Sequence, residues 1–199
     1  PWPWLLHPGE AAGRRDPVGR MTMKTALVLG GAATVWDDAA AALDLGKPDI
    51  VVACNDISAR WAGPVDYMVT LHPEKLLGWQ DERRRRGYSE PAFVVSHEKP
   101  EWFEAGRAYP RIDFAVDYRW PGMEGSGSSG LFAVKVALTA ADRVILAGVP
   151  MDPAAAHFFH PARWAEWESF TDAWHRAMPF IKDRVRSMGG WTADLLGRP

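Results

Sequence analysis

The sequence predicts an α/β protein, a single domain built on an open, mostly parallel sheet with helices on both faces. Three observations predict it. Short, wholly apolar runs recur along the chain, turn-forming residues close each of them, and longer alanine-rich or amphipathic segments stand between them. Strands apolar on both sides of the pleat need helices above and below, as parallel sheets have.

Each element has its own justification. Thr25–Gly30 (TALVLG) is a buried strand running into the tight turn Gly30-Gly31. Thr34–Leu45 (TVWDDAAAALDL) is a helix, with Thr34 as N-cap and Asp37 and Asp38 at the positive end of its dipole; Gly46 and Pro48 stop it. Asp49–Cys54 (DIVVAC) is a second strand ending at Asn55-Asp56, followed by a short helix over Ile57–Trp61. Asp66–Leu71 is a third strand, and Pro73 opens a helix that runs through Arg86 to Gly87. Ala92–Ser96 is a fourth strand. A short helix over Glu101–Gly106 and a weak strand over Ile112–Val116 come next. The glycine-serine loop GMEGSGSSG, at 122–130, leads into an apolar helix over Leu131–Ala140 and a strand over Arg143–Gly148. Pro161–Asp183 is a long aromatic helix that Pro179 kinks or splits. Val185–Met188 is a last strand, and Trp191–Leu196 a closing helical turn.

Composition bounds the rest. The chain has 199 residues, of which 47% are hydrophobic and 24% charged, enough for one domain with a sizeable core. Lys and Arg number 23 against 25 Asp and Glu, so no basic excess draws the protein to nucleic acid. The single cysteine, Cys54, excludes an intrachain disulfide and a multi-cysteine metal site. No uncharged apolar run approaches the ~20 residues of a membrane span. Tryptophan is over-represented, 11 against 4 tyrosines. Residues 1–22, with four prolines and three glycines before Met23, read as a disordered extension, leaving 23–199 as the domain. Their apolar stretch, Trp4-Leu5-Leu6, is too short for a signal peptide, so a cytoplasmic protein is expected.

In open parallel sheets, ligands sit beyond the carboxyl ends of the strands. Gly30 and Gly31 let backbone N–H groups approach a phosphate at a helix start, or simply make a tight turn. Ser126, Ser128, Ser129 and Gly130 bring hydroxyls, amides and a helix dipole onto an anion; a flexible linker is the bland reading. Asn55 and Asp56 end a strand where a ribose or base is contacted, though Asp56 could equally be a helix cap. Gly148 and Asp152 follow the strand RVILAG. His72, His97, His157 and His160 stand near strand ends, with His157, His160 and His72 the candidates for acid/base work. His157, His160 and Asp152 offer only a weak metal set, and no metal site is assigned. Arg83–Arg86 read as the solvated end of a helix. Trp164, Trp167, Phe170 and Trp174, three and four apart, read as a core stripe with Glu166 and Glu168 on the wet face.

Two of these stretches resemble a known family. Residues 124–152 (EGSGSSGLFAVKVALTAADRVILAGVPMD) are similar to the small sialyl motif of sialyltransferases: a serine-glycine turn, an alanine-rich helix, an acidic residue and a strand ending in glycine. Residues 25–55 (TALVLGGAATVWDDAAAALDLGKPDIVVACN) look like the large sialyl motif. The same order of parts resembles hydroxymethylpterin diphosphokinase-like proteins, which share a Rossmann-like core, and the ending VRSMGGWTADLLG resembles phage and prophage products, whose setting would be the host cytoplasm. The resemblance implies a CMP-type nucleotide site lined by Gly31, Asn55, Ser128, Ser129 and Gly130, and a histidine acting as base without metal or cofactor. The linking cysteines of animal members are not reproduced, since Cys54 stands alone, and His160 to Glu166 are six apart where the family has five. The expected function is a transferase using a nucleotide-activated, CMP-sugar-like donor, with a small nucleotide as its ligand. The alternatives are a Mg-dependent diphosphokinase-like enzyme using Asp37, Asp56 and Asp152, or a non-catalytic nucleotide-binding phage protein.

Overall fold

The computed structural model describes residues 23–99, 109–125, 128–153, 155–159 and 167–199. The expected N-terminal extension, the helix over 101–106, Ser126, His160, Trp164 and Glu166 lie outside the described residues. The strands are β1 (Thr25–Leu29), β2 (Ile50–Cys54), β3 (Tyr67–Thr70), β4 (Phe93–Ser96), β5 (Phe114–Ala115), β6 (Arg143–Ala147) and β7 (Val185–Ser187). The helices are α1 (Val35–Leu45), α2 (Ile57–Arg60), α3 (Leu76–Arg85), α4 (Ser129–Ala140), α5 (Trp167–Ile181) and α6 (Gly190–Leu196). Pro73–Lys75 forms a separate 3-10 turn ahead of α3, so the helix expected from Pro73 starts at Leu76. Pro179 stands two residues before the end of α5, in its last turn, without dividing it.

All the strands pair in parallel in one seven-stranded sheet of order β5-β4-β3-β2-β1-β6-β7. The chain therefore moves outward from β1 to β5, then crosses back to lay β6 on the other side of β1. Because crossovers keep one hand, this reversal sends the later helices to the opposite face. Strand side chains alternate accordingly. Leu27, Leu29, Ala53, Met68 and Val94 pack with Val35 and Ala39 of α1, Ile57 of α2 and Leu76 and Trp79 of α3. Ala26, Val28, Val52, Val69 and Val144 pack with Leu131, Phe132 and Val134 of α4 and with Trp174, Ala177 and Ile181 of α5. Trp174 is fully buried, so the expected aromatic stripe is core at that position. No helix among the described residues is long and apolar enough to cross a membrane.

A repeated aspartate fixes the register at the amino edge. Asp49, Asp66, Asp113 and Asp142 each precede a strand, and each carboxylate accepts a backbone N–H in, or immediately before, a neighbouring strand at 2.7–2.9 Å (Thr25, Val51, Val94 and Lys24 respectively). Each aspartate's own N–H donates back to that residue's carbonyl at 2.9 Å. The side chain thus extends the ladder by one rung where the partner strand has run out. Asp66→Ala should orphan the Val51 N–H and lower stability by about 1–2 kcal/mol, while Asp66→Asn, which keeps an acceptor, should stay within about 0.5 kcal/mol; urea unfolding measures both.

Candidate functional site

The carboxyl edge at the β1/β6 boundary is where the sheet changes direction, the place where open α/β sheets form a crevice. Glycines make that boundary close. Gly30 N–H donates to Ala147 O at 2.8 Å, and a Cβ on Gly30 would lie 2.3 Å from Gly148 O. Gly148 has φ +68°, and a Cβ there would lie 2.5 Å from Cβ of Val35, so the first turn of α1 rests on it. Its N–H donates to Asp38 Oδ2 at 2.9 Å, and the same oxygen accepts the Thr34 hydroxyl at 2.9 Å. Thr34 therefore does not cap α1 through its side chain as expected; it orients the carboxylate that holds the β6 turn.

The segment 155–158 is laid over the glycine turn. Ala33 N–H donates to Ala156 O at 2.8 Å, and Phe158 N–H donates to Gly31 O at 3.0 Å. His157 Nδ1 lies 3.1 Å from the same carbonyl. A carbonyl only accepts, so a hydrogen bond here is donated by Nδ1, and that tautomer has Nε2 as its basic nitrogen. A Cβ on Gly31 would lie 3.1 Å from that Nδ1, so Gly31 admits the imidazole.

On the opposite face of the sheet, α4 begins at this same edge. Ser128 is its N-cap: the hydroxyl oxygen accepts from Leu131 N–H at 3.2 Å and from the Trp174 indole N–H at 3.2 Å. The serine-glycine run is thus anchored at Ser128, and the helix starts at Ser129 rather than Leu131. The Ser129 hydroxyl reaches the Cys54 thiol at the end of β2. A Cβ on Gly130 would lie 2.9 Å from Val149 just after β6. The helix start therefore bridges the ends of β2 and β6, across β1 between them. Among the described residues, no acceptor meets the N–H groups of Ser129 and Gly130, which carry the positive end of a 12-residue helix dipole. Burial and the nearby Asp56 carboxylate push the Cys54 thiol well above its ordinary range, which keeps it protonated and unreactive.

Asn55 sits in the left-handed region, φ 59°, at the β2 end. Asp56 is engaged with α3. Its Oδ1 accepts the Trp79 indole N–H at 2.9 Å, and its side chain does not cap α2. His72, at the end of β3, pairs with Glu74 at 3.3 Å, with both side chains about half exposed. It shares the carboxyl edge but lies two strands from β1. Asp152 follows Met151, which has φ 48°, in the segment leaving β6; its carbonyl accepts from Ala155 N–H at 3.0 Å. Gly30, Gly31, Gly148, Ser128, Ser129, Gly130 and His157 are thus brought to one boundary, with Asn55 beside it. Among the described residues, no group of three or more His, Cys, Asp or Glu side chains is placed to hold a metal ion, so Asp37, Asp56 and Asp152 do not form such a set.

Several supporting residues carry no clear sequence signal. The Thr192 hydroxyl donates to Val149 O at 2.6 Å, and Thr192 N–H to Pro150 O at 3.2 Å, so α6 braces the segment leaving β6. Trp36 stacks on Trp61 (centroids 6.3 Å apart, planes 13° apart) and meets Phe158 edge-on at 6.0 Å. These rings back the segment that carries His157.

No family model and no curated protein matches the chain. Among solved structures, the chain is similar to a mammalian sialyltransferase in complex with Gal-beta-1-3GalNAc-ortho-nitrophenol, at 14% identity and a TM-score of 0.48, over 89% of this chain and 75% of that one.

Proposed function

We propose that the protein is a nucleotide-binding transferase that uses a nucleotide-activated, CMP-sugar-like donor, with His157 as a metal-independent general base. The observation that carries the reading is the convergence of the Gly30-Gly31 turn, the N-terminus of α4 and His157 at the β1/β6 boundary. A phosphate at that helix start would take the N–H groups of Ser129 and Gly130 and gain from the dipole. The resemblance of 25–55 and 124–152 to the large and small sialyl motifs supports the donor class. In the transfer, the acceptor hydroxyl gives its proton to Nε2 of His157 as its oxygen bonds to the sugar carbon. The bond from that carbon to the nucleotide phosphate breaks, and the phosphate leaves as an anion on the helix start.

Calorimetric titration with CMP, UMP, GMP and their sugars tests the binding. Binding of CMP or a CMP-sugar is the expected result, and no binding by any of them at millimolar concentration overturns the proposal. His157→Ala should keep nucleotide binding and lower turnover about 100-fold or more, the usual contribution of a positioned base. Unchanged turnover in that variant, with a fall in His72→Ala, would move the base to His72. Binding without turnover in the unaltered protein would favour the non-catalytic alternative.

A further inference from the structure

We infer that Thr70 is a positioning residue that fixes Asn55 as a hydrogen-bond donor toward an oxygen acceptor of the bound nucleotide. The inference rests on the nucleotide reading above. Thr70 ends β3 and is fully buried. Its hydroxyl oxygen accepts His72 N–H at 2.8 Å and donates to Asn55 Oδ1 at 2.7 Å. The orientation of the amide follows from proton counting. A threonine hydroxyl has one proton, and with a lone pair already engaged by His72 N–H, that proton needs an acceptor. Among the described residues, Asn55 Oδ1 is that acceptor; a flipped amide would present N–H₂ instead and strand a buried O–H.

The main chain of Asn55 is held as firmly. Its N–H donates to Val69 O at 3.1 Å, and its carbonyl accepts from Ser58 N–H at 3.1 Å and from the Ser58 hydroxyl. With backbone and Oδ1 committed, Nδ2 is the group of Asn55 with no acceptor among the described residues. A half-buried amide donor at the carboxyl end of β2 recognises an acceptor oxygen, on the phosphate or on the ribose. The left-handed backbone at Asn55 costs energy for most residues and is tolerated by asparagine, which adds to the reading that this side chain is placed rather than incidental.

Calorimetric titration with CMP and with cytidine tests the inference. Thr70→Val should weaken CMP binding about 10-fold, and Thr70→Ser should restore it to within about 2-fold. Asn55→Asp keeps an acceptor for the Thr70 hydroxyl and removes the donor, so it should weaken CMP binding by about 30-fold or more while preserving the melting temperature within a few degrees. In Thr70→Val, which adds no charge, a loss for CMP alone places the acceptor on the phosphate, and an equal loss for cytidine places it on the ribose. Full CMP affinity in Asn55→Asp, or in a folded Thr70→Val, overturns the inference. If Thr70→Val fails to fold, Asn55→Asp decides. A wild-type protein that binds neither ligand overturns the nucleotide reading itself, a distinct result.

Discussion

Arg83→Ala is expected to lower folding stability by about 3 kcal/mol, a fall of roughly 6–12 °C in Tm for a domain of this size. Arg83 is fully buried, unlike its neighbours in the run RRRR. Its guanidinium donates from Nη1 to Ser58 O and Trp61 O at 2.8 Å each, from Nη2 to Gly63 O at 3.1 Å, and from Nε to Ser89 O. These four carbonyls belong to α2, the loop after it and the loop after α3, so one side chain ties three segments together. The Tyr88 ring lies 5.7 Å from the guanidinium carbon. Burial lowers the Arg83 pKa, and the charge of nearby Glu90 opposes that. Truncation leaves the carbonyls without donors in a dry place, and each costs free energy. Lysine cannot fork to all of them, so Arg83→Lys should recover part of the loss. Arg84→Ala and Arg85→Ala, on the exposed side, should stay within about 0.5 kcal/mol. Thermal melts of the four variants check this; an Arg83→Ala protein melting with the wild type would contradict it.

Gly30→Ala should be equally damaging, at about 3 kcal/mol, and should abolish nucleotide binding in whatever fraction still folds. The added methyl would sit 2.3 Å from Gly148 O and 2.5 Å from a methyl of Val149. Since the first of these is backbone, the ends of β1 and β6 must separate. That movement also takes Val149 away from Gly130, against which it rests. The contrast is Gly78→Ala in the exposed part of α3, where nothing lies within 4 Å of the new carbon. That change should stabilise the protein by about 0.5–1 kcal/mol, because a helix-interior glycine costs backbone entropy. Urea unfolding of both variants tests the pair.

The strands are legible because each is a short apolar run, and every expected strand among the described residues is present within two residues of its expected ends. Helix starts are less legible. Pro73 opens a 3-10 turn because the Lys75 N–H bonds back to His72 O, and α4 starts two residues early because the Ser128 side chain caps it. Arg83 is buried rather than solvated, and its position carries a signal for that: it falls four after Trp79 and seven after Leu76, on the stripe that faces the core. The charge run hides the period. At the site, the glycine and serine turns are legible because turn chemistry is local. The roles of Thr70, Asp38 and Asp56 are not, since their partners Asn55, Gly148 and Trp79 are separated from them by 15 to 110 residues and meet only when the sheet forms. The recurring aspartate before the strands is visible in DIVVAC and DYMVTL, but its meaning needs the neighbouring strand.

A crystal structure of the protein with CMP bound decides whether the β1/β6 boundary is the nucleotide site. The phosphate is expected beyond the carboxyl ends of β1 and β6, within hydrogen-bond distance of the Ser129 and Gly130 N–H groups, with the Asn55 amide facing a ligand oxygen. A nucleotide held elsewhere, such as at the amino edge beside Asp49 and Asp66, would contradict it.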